Sequence, residues 1–421
     1  MLHKKSVRVF IETYGCTFNQ ADSDAIAQAL RKAGHSLACK SNADVVIVNT
    51  CGVKNATEQR IMSRLRQLRE RKILVTGCLA QATPERVKAA NPRASILGTF
   101  NQKKVVAAVN AINKGRRVCW LAGKNFLEPT VVVDGVIARI QIARGCLGAC
   151  SFCQTRLARG TLESIPPKTV LQLCEQAVAK GAKELRLTAQ DTGCYGFDLH
   201  ADLPELVEEV TRIPGRFRVR IGMANPQHCL KIMPRLLQAL ESEKAYKFLH
   251  APLQSGSDAV LKAMRRSHSA KDFERVAALF RKRFPEGIIA TDVIAGFPTE
   301  SDSDFEKTLE VIERVRPDIT NVSRYSARPK TVAAEMKQLP DDVIKNRTRV
   351  LSAACKKIAA EKNVERVGMK GIALVTERTE NAWLARLENY APVLLATGRL
   401  GEFVSVRLKK AGPAACEGER T

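Results

Sequence analysis

The most informative stretch of this sequence lies near its middle and reads Gly145-Cys146-Leu147-Gly148-Ala149-Cys150-Ser151-Phe152-Cys153. It holds three cysteines within eight residues, directly after an apolar strand pattern. Three thiolates this close together, in a loop that contains glycine, can bind one face of a cubane iron–sulfur cluster. Such a cluster usually takes four cysteines, and no fourth follows at ligand spacing. One iron would therefore keep an open position.

An iron with an open position can bind a chelating molecule. S-adenosylmethionine (SAM) offers an amino group and a carboxylate for this purpose, and one electron would then break its C–S bond to give a 5′-deoxyadenosyl radical. In such enzymes the cofactor performs the difficult chemistry, and the protein fixes its geometry. Two other interpretations stay open. Cys150 and Cys153 have the spacing of a thioredoxin-like pair, and a zinc site would need a fourth ligand from elsewhere.

The residues around this loop alternate between strand and helix patterns, with helices predicted, for example, at Leu203 to Arg212 and Ala270 to Arg283. Six such repeats predict a full or partial barrel of parallel strands, in which chemistry lies on the loops that follow the strands. The cysteine loop follows the first of these strands. The predicted strands are Arg139 to Ile142, Glu184 to Leu187, Arg218 to Ile221, Lys247 to Leu249, Ile288 to Val293 and Ile319 to Val322.

The first ~125 residues show continuous apolar strands between amphipathic helices, which predicts a parallel α/β sheet. Cys16, Cys51 and Cys78 each follow one of the first three strands. Because functional residues collect at the carboxyl ends of parallel strands, we expect all three at one edge of the sheet. The alternative is that they are three unrelated, small buried residues.

The last part of the chain changes pattern after a basic helix, Asp341 to Lys362. Four short β-like segments between Ile372 and Leu408 predict a small β-barrel of the size that holds nucleic acid, or a structural cap. A polar tail is expected from Gly412. With Trp120 to Thr130 as a linker, the predicted domains are 1–125, 132–362 and 363–421.

Charge and composition indicate the environment and the partner. The net charge of +25 produces a positive field that attracts polyanions. The basic residues also cluster along the chain, which favours a nucleic acid over a membrane surface. The N-terminus lacks the apolar core of a signal peptide. We therefore expect a cytoplasmic protein whose 13 cysteines stay reduced.

Several motifs resemble one enzyme family. The cysteine loop, with Phe152 before its last cysteine, resembles the radical SAM superfamily, and the resemblance implies that Phe152 contacts the cofactor. Other segments are similar to its methylthiotransferases over nearly the whole chain. These segments are Thr13-Tyr14-Gly15-Cys16 with Asn19, Asp22 and Ser23; Asn49-Thr50-Cys51-Gly52; Gly77-Cys78 with Gln81; Gly296-Phe297-Pro298-Thr299-Glu300; and Tyr325 with Arg328-Pro329.

The resemblance implies two [4Fe–4S] clusters, one on Cys146, Cys150 and Cys153 and a second on Cys16, Cys51 and Cys78. The fold would be an N-terminal parallel α/β sheet domain, a partial (β/α)6 radical SAM barrel, and a small C-terminal β-barrel (TRAM) that binds tRNA. One SAM would methylate a cluster-bound sulfur, and a second would generate the radical that removes hydrogen from C2 of adenine. The electron donor and the sulfur source are not identified.

The resemblance also implies a substrate. Arg156 with Arg159-Gly160, Gln190-Asp191 with Tyr195, and Asn225-Pro226 look like the archaeal and eukaryotic branch. That branch acts on N6-threonylcarbamoyladenosine at position 37, in the anticodon stem-loop. The alternatives are an isopentenyladenosine tRNA or a ribosomal protein as the substrate, or a zinc-containing RNA-binding protein without this activity.

Some positions depart from the family pattern or carry weaker signals. Lys330 and Val332 stand where the family usually has Gly and Pro. Cys194 replaces a small residue and is expected to be a plain buried thiol. Gln190 and Asp191 are predicted to contact SAM or substrate, or else to cap a turn. Arg159 is predicted to bind a carboxylate, including that of the threonyl group, or to form a surface ion pair.

Overall fold

The computed structural model describes residues 6–52 and 55–421. Its first part is a parallel sheet with the strand order β2-β1-β3-β4-β5-β6. The strands are β1 Arg8–Thr13, β2 Ser36–Leu37, β3 Val45–Thr50, β4 Ile73–Gly77, β5 Ser95–Leu97 and β6 Cys119–Trp120.

Helices cover both faces of this sheet. Every residue of β3 is buried, as expected for a central parallel strand between two helical layers. The helices are α1 Thr17–Lys32, α2 Asn55–Gln67, α3 Cys78–Ala82, α4 Pro84–Ala90 and α5 Val105–Asn113, with 3-10 turns at Lys40–Asn42 and Thr99–Lys104. The N-terminal α/β sheet predicted from the sequence is confirmed.

The middle of the chain forms a partial barrel of six parallel strands. The six parallel strands are β8 Ile137–Gln141, β11 Glu184–Thr188, β12 Arg218–Ile221, β13 Phe248–His250, β14 Ile288–Ala295 and β15 Ile319–Arg324. Three short antiparallel strands accompany them: β7 Val133–Asp134, β9 Ala143–Arg144 and β10 Glu163–Ser164. Two sheets, β12-β11-β8-β7 and β13-β14-β15, meet through a parallel bridge between Val219 and Ala245. This confirms the predicted partial barrel.

Helices alternate with the barrel strands, and a long helix follows the last strand. They are α6 Gln154–Arg159, α7 Pro167–Ala179, α8 Leu203–Arg212, α9 Pro226–Ala239, α10 Asp258–Ala263, α11 Ala270–Arg283, α12 Asp302–Val315, α13 Val332–Glu335 and α14 Asp341–Glu365, with a 3-10 turn at Thr192–Cys194. Within the described residues, no helix is long and apolar enough to cross a membrane.

The last part of the chain is a closed five-stranded barrel in the order β16-β17-β18-β20-β19. Its strands are β16 Lys370–Arg378, β17 Trp383–Arg386, β18 Pro392–Leu395, β19 Phe403–Lys410 and β20 Cys416–Arg420. The small β-barrel is confirmed, but the predicted polar tail from Gly412 is wrong. The segment looks like a tail because it is polar and short, yet β20 pairs with both β18 and β19 and closes the barrel.

The C-terminal barrel packs against the central one. Tyr390 joins Tyr246 and Phe248 in one aromatic cluster, with ring centroids 4.8 and 4.9 Å away. These three residues belong to a single apolar core shared by β13, β14 and the small barrel. The two barrels therefore form one continuous structure.

Candidate active site

Cys16, Cys51 and Cys78 lie at one edge of the N-terminal sheet. Each follows the carboxyl end of a strand, and the three strands β1, β3 and β4 are neighbours. Cys16 immediately precedes α1, and Cys78 is the first residue of α3. This is the arrangement that the strand pattern of the sequence predicts.

Two glycines allow these loops to approach one another. Gly15 has φ +107°, and a Cβ atom there would lie 2.8 Å from the Cys51 sulfur. Gly77 has φ +89°, and a Cβ atom there would lie 2.3 Å from the carbonyl oxygen of Thr50. Both positions need a residue without a side chain, which explains the glycine before the first and the third cysteine.

The second set of cysteines lies on the loop between β9 and α6. Cys153 immediately precedes α6. The amide of Gly148 donates a hydrogen bond to the Cys146 sulfur over 3.3 Å. The Arg266 guanidinium donates to the Cys150 sulfur over 3.5 Å. The hydrogen bond from Gly148 favours the thiolate form of Cys146.

All six cysteines line one cavity of about 450 Å³ between the N-terminal sheet and the partial barrel. The two sets come from segments that are far apart in the sequence. Their convergence on a shared space means that a molecule bound at one set faces the other. This is the central geometric feature of the site.

The donor atoms of the cavity fit iron–sulfur clusters. Burial raises the pKa of the Cys78 thiol to about 12 and that of Cys146 to about 11, and it also raises the pKa of Cys153. A bound metal centre supplies the positive charge that buried thiolates need. Cysteine sulfur is also the ligand that such clusters prefer.

The spacing of the sulfur atoms argues against a single zinc ion. Three sulfurs on one tetrahedral zinc lie about 3.8 Å apart, since each Zn–S bond is about 2.3 Å. Among the described residues, neither set of cysteines brings three ligand atoms within 4.8 Å of one another. The three sulfurs of either set are therefore not gathered as the ligands of one zinc ion would be.

Arg159 connects the two sets of cysteines. It ends α6, next to the loop of Cys146, yet its Nε donates to the Cys78 sulfur over 3.3 Å. It also forms a buried ion pair with Asp22 at 2.6 Å and donates to Asn19 Oδ1 at 2.7 Å. The predicted carboxylate partner is thus a residue of this chain, and the alternative of a surface ion pair is wrong because Arg159 is buried.

Phe152 and Gln190, two of the predicted cofactor-binding residues, line the cavity. The Phe152 ring packs edge-on against Phe297, with centroids 6.5 Å apart. Gln190 carries a buried Oε1 that has no hydrogen-bond partner among the described residues. An unpaired buried oxygen beside a cavity is suited to a ligand that donates a hydrogen bond.

Asp191, the third predicted cofactor-binding residue, lies behind the cavity wall. Its carboxylate accepts hydrogen bonds from the amide of Gly193, from both nitrogens of Asn225 and from His228. Burial alone would raise the pKa of Asp191, but these hydrogen bonds outweigh burial and lower it. Asp191 therefore carries its charge inside the protein and holds the turn that precedes Tyr195.

The sequence did not reveal a chain of contacts that continues from Asp191 to the cysteine loop. Asn225 accepts a hydrogen bond from Arg266, which in turn donates to the Cys150 sulfur. The motif at Asn225 was visible, but no role followed from it. Nothing in the sequence around Arg266 points to the loop, because the two segments meet only in the folded chain.

Cys194 is fully buried beside Asp191 and His228.

Lys330, which departs from the expected family pattern, lies at a backbone position that favours glycine. Its backbone has φ +66°, in the left-handed region that glycine adopts without strain. Its ammonium group contacts the carbonyl oxygen of Ala82 at 3.1 Å and Glu85 at 3.2 Å. Both partners belong to the N-terminal part, so Lys330 links it to the barrel. Val332 starts the short helix α13.

Several cavity residues have buried polar atoms that find no partner among the described residues. Such atoms are costly to bury. Their concentration around one cavity indicates a space built for a polar ligand. They are Gln154 Oε1, Arg156 Nη1, Gln190 Oε1, Arg220 Nε, Arg266 Nε and Tyr325 OH.

Comparison with known protein families identifies the class of enzyme. The Radical SAM superfamily matches residues 140–312, which include the loop of Cys146, Cys150 and Cys153. The uncharacterized protein family UPF0004 matches residues 8–98, which include the other three cysteines. The barrel and its cysteine loop are therefore those of a radical SAM enzyme. Membership of this superfamily implies a [4Fe–4S] cluster and SAM.

A solved structure supports the same fold. The radical SAM methyltransferase TsrM from Kitasatospora setae aligns with a TM-score of 0.57 over 78% of this chain and 77% of its own. The two sequences are 13% identical. At this identity the similarity concerns the fold alone.

Two relatives identify the family within the radical SAM enzymes. The probable threonylcarbamoyladenosine tRNA methylthiotransferase of Pyrococcus horikoshii is 40% identical over 98% of this chain and 99% of its own. The threonylcarbamoyladenosine tRNA methylthiotransferase of Drosophila pseudoobscura is 35% identical over 98% of this chain and 77% of its own. The chain belongs to the threonylcarbamoyladenosine tRNA methylthiotransferase family, which confirms the resemblance inferred from its motifs.

Proposed function

We propose that this protein converts N6-threonylcarbamoyladenosine at position 37 of tRNA to its 2-methylthio derivative. The observation that carries the proposal is the single cavity lined by both sets of three cysteines. If one centre generates the radical and the other donates the sulfur, both must face the same substrate. The names of the relatives supply the substrate.

Under this proposal, Cys146, Cys150 and Cys153 hold one [4Fe–4S] cluster, and Cys16, Cys51 and Cys78 hold a second. When bound, the first cluster supplies the electron that cleaves SAM, and the second holds the sulfur to be transferred. Each set has three thiols, which leaves an iron of each cluster available for a further ligand.

The protein's own residues orient these groups and exclude water. Gly148 and Arg266 donate hydrogen bonds to sulfurs of the first set. Arg159 does the same for Cys78 and ties the two sets together. Phe152 and Gln190 line the space between them and are proposed to contact SAM. Asp191 is proposed to support that contact by holding the turn after Gln190.

The proposal assigns separate roles to the three parts of the chain. Residues 1–125 would form the domain of the second cluster, 132–362 the radical SAM domain, and 363–421 the TRAM-like domain that binds the anticodon stem-loop. The net charge of +25 supports a polyanionic partner. The 13 free cysteines support a cytoplasmic location, where thiols stay reduced. An electron donor and a sulfur source, both unidentified, complete the proposed partners.

The first test is anaerobic reconstitution, followed by iron and sulfide analysis and an absorption spectrum. About eight irons per chain, with a broad band near ~400 nm, is the expected result for two clusters. About four irons would contradict the second cluster. Zinc without iron would contradict the enzymatic proposal as a whole.

Two cysteine variants test the roles of the sets separately. Cys146→Ala should abolish SAM cleavage. Cys51→Ala should keep SAM cleavage but stop the formation of methylthio product on an RNA that carries threonylcarbamoyladenosine. Cys39→Ala, an exposed thiol outside both sets, is the control and should change neither. Methylthio product from Cys51→Ala would overturn the assignment of the second set.

A further inference from the structure

Three arginines stand side by side on neighbouring barrel strands. In the parallel pairing of β8, β11 and β12, Arg186 lies opposite Arg139 on one side and opposite Arg220 on the other. Residues that are paired across parallel strands project from the same face of the sheet. The three arginine side chains therefore start from one row on the same face of the sheet.

Two members of the row have carboxylate partners within the chain. Arg139 pairs with Asp134 at 2.8 Å and with Asp24 at 3.3 Å. Arg186 pairs with the fully buried Glu184 at 2.5 Å. These two charges are compensated by the protein itself, and neither side chain lines the cavity.

The third member, Arg220, has no such partner. It forms no ion pair and no side-chain hydrogen bond with any residue in the described ranges, and its Nε is buried and unpaired. Its side chain lines the cavity. A buried guanidinium without an acceptor is costly, so its presence beside an open cavity points to an acceptor on the ligand.

Aromatic rings hold Arg220 in place without neutralising it. Its guanidinium lies 5.0 Å from the ring centroid of Phe248 and 5.7 Å from that of Tyr390. Burial lowers the pKa of Arg220, yet an arginine side chain remains protonated in proteins. The result is a fixed positive charge at the cavity wall.

Other cavity arginines are less suited to bind an anion. Arg159 is paired with Asp22, and Arg328 is paired with the buried Glu58. Arg156 also has an unpaired Nη1. It differs from Arg220 because no aromatic ring within the described residues stacks on it to fix its position.

We propose that Arg220 binds a carboxylate of a ligand in this cavity. The proposal rests on the proposed function, under which two ligands carry a carboxylate: the methionyl part of SAM and the threonyl group of the nucleoside. The planar fork of a guanidinium matches a carboxylate and can donate two parallel hydrogen bonds to it.

The first measurement is the thermal midpoint of the reconstituted enzyme without SAM or RNA. Arg220→Met should lower the midpoint far less than the control, because Arg220 has no carboxylate within ion-pair distance that would be left without its cation. The matched control is Arg186→Met, in the same row, which should lower the midpoint because Glu184 loses its cation. An Arg220→Met midpoint that falls as far as in the control would show a structural role and overturn the proposal.

The second measurement is binding to the reconstituted enzyme. The probes are radiolabelled SAM and two anticodon stem-loop RNAs, one with threonylcarbamoyladenosine and one with plain adenosine. If the carboxylate belongs to SAM, Arg220→Met should bind SAM about 10- to 100-fold more weakly. If it belongs to the threonyl group, SAM binding should stay unchanged and the preference for the modified RNA should fall by a similar factor. Arg220→Lys should retain part of the binding that Arg220→Met loses, because lysine keeps the positive charge.

Unchanged binding of all three probes in Arg220→Met would overturn the proposal. So would a loss of binding in Arg156→Met that Arg220→Met does not show. Failure of the proposed function is seen separately, because the wild-type enzyme would then make no methylthio product on the modified RNA, whatever Arg220 binds.

Discussion

The Nε atom of Arg159 donates a hydrogen bond to the sulfur of Cys78 across 81 positions of sequence, at 3.3 Å. The contact joins the helix after the radical SAM loop to the edge of the N-terminal sheet. It places a positive charge beside a buried sulfur, and Asp22 balances that charge. The interface between the two parts of the enzyme is therefore polar at its centre.

Arg159→Met should reduce the free energy of unfolding by about 3–5 kcal/mol, because Asp22 would stay buried without its cation. Urea denaturation of the cluster-free protein measures this. The double variant Arg159→Met/Asp22→Asn is the control and should recover most of the loss, since it removes the stranded charge. An equal loss in both proteins would show that packing of the long side chain, and not the ion pair, dominates.

His268 should make stability fall as the pH is lowered. Burial, followed by the charge of Arg266, lowers its pKa from 6.5 to about 4, and its Nε2 donates to the carbonyl oxygen of Leu253 at 3.1 Å. At a pH below the pKa that His268 has in the unfolded chain, the unfolded chain binds a proton at this residue and the folded chain does not. The free energy of unfolding should then fall by about 1.4 kcal/mol per pH unit until the folded pKa is reached.

Urea denaturation at pH 7 and pH 5 tests this in the wild type and in His268→Gln. Other groups also titrate in this range, so the difference between the two proteins is the informative quantity. The wild type should lose more stability than the variant on acidification. Equal losses would mean that His268 is protonated in the folded enzyme.

Lys330→Gly should change the free energy of unfolding by less than about 1 kcal/mol. Glycine removes the strain of the left-handed backbone conformation, which stabilises the variant. This gain offsets the loss of the half-exposed ion pair with Glu85, since such pairs contribute about 0–1 kcal/mol. Lys330→Val should be clearly less stable, because a β-branched residue does not tolerate this backbone. If valine were tolerated as well as glycine, the left-handed conformation at this position would be wrong.

Removal of β20 should open the C-terminal barrel. A chain that ends at Ala411 leaves the edges of β18 and β19 unpaired, and exposed edges are prone to aggregation and cleavage. Limited proteolysis should cut after residue 366 in this protein, and its affinity for RNA should drop. A chain that lacks only Thr421 is the control. Iron content should stay unchanged in both, since all six cysteines lie outside this barrel.

The sequence alone determined the kinds of element and many of their bounds. Helices α8 and α11 begin and end where their patterns predict, at Leu203–Arg212 and Ala270–Arg283. A side chain caps the start of each helix, which is a local interaction that the sequence displays. The cysteine loop and the three cysteines after strands were also visible, because a motif and a strand end are local features.

Tertiary structure decided which of these features meet. No local pattern joins Arg159 to Cys78, or Arg266 to Cys150, because each pair comes from segments far apart in the chain. The same holds for β20, whose polar residues resemble a tail until β18 and β19 pair with them. The row of Arg139, Arg186 and Arg220 likewise exists only through strand register. Periodicity and motifs report local preferences, whereas charge compensation and a shared cavity depend on long-range packing, which a single sequence does not display.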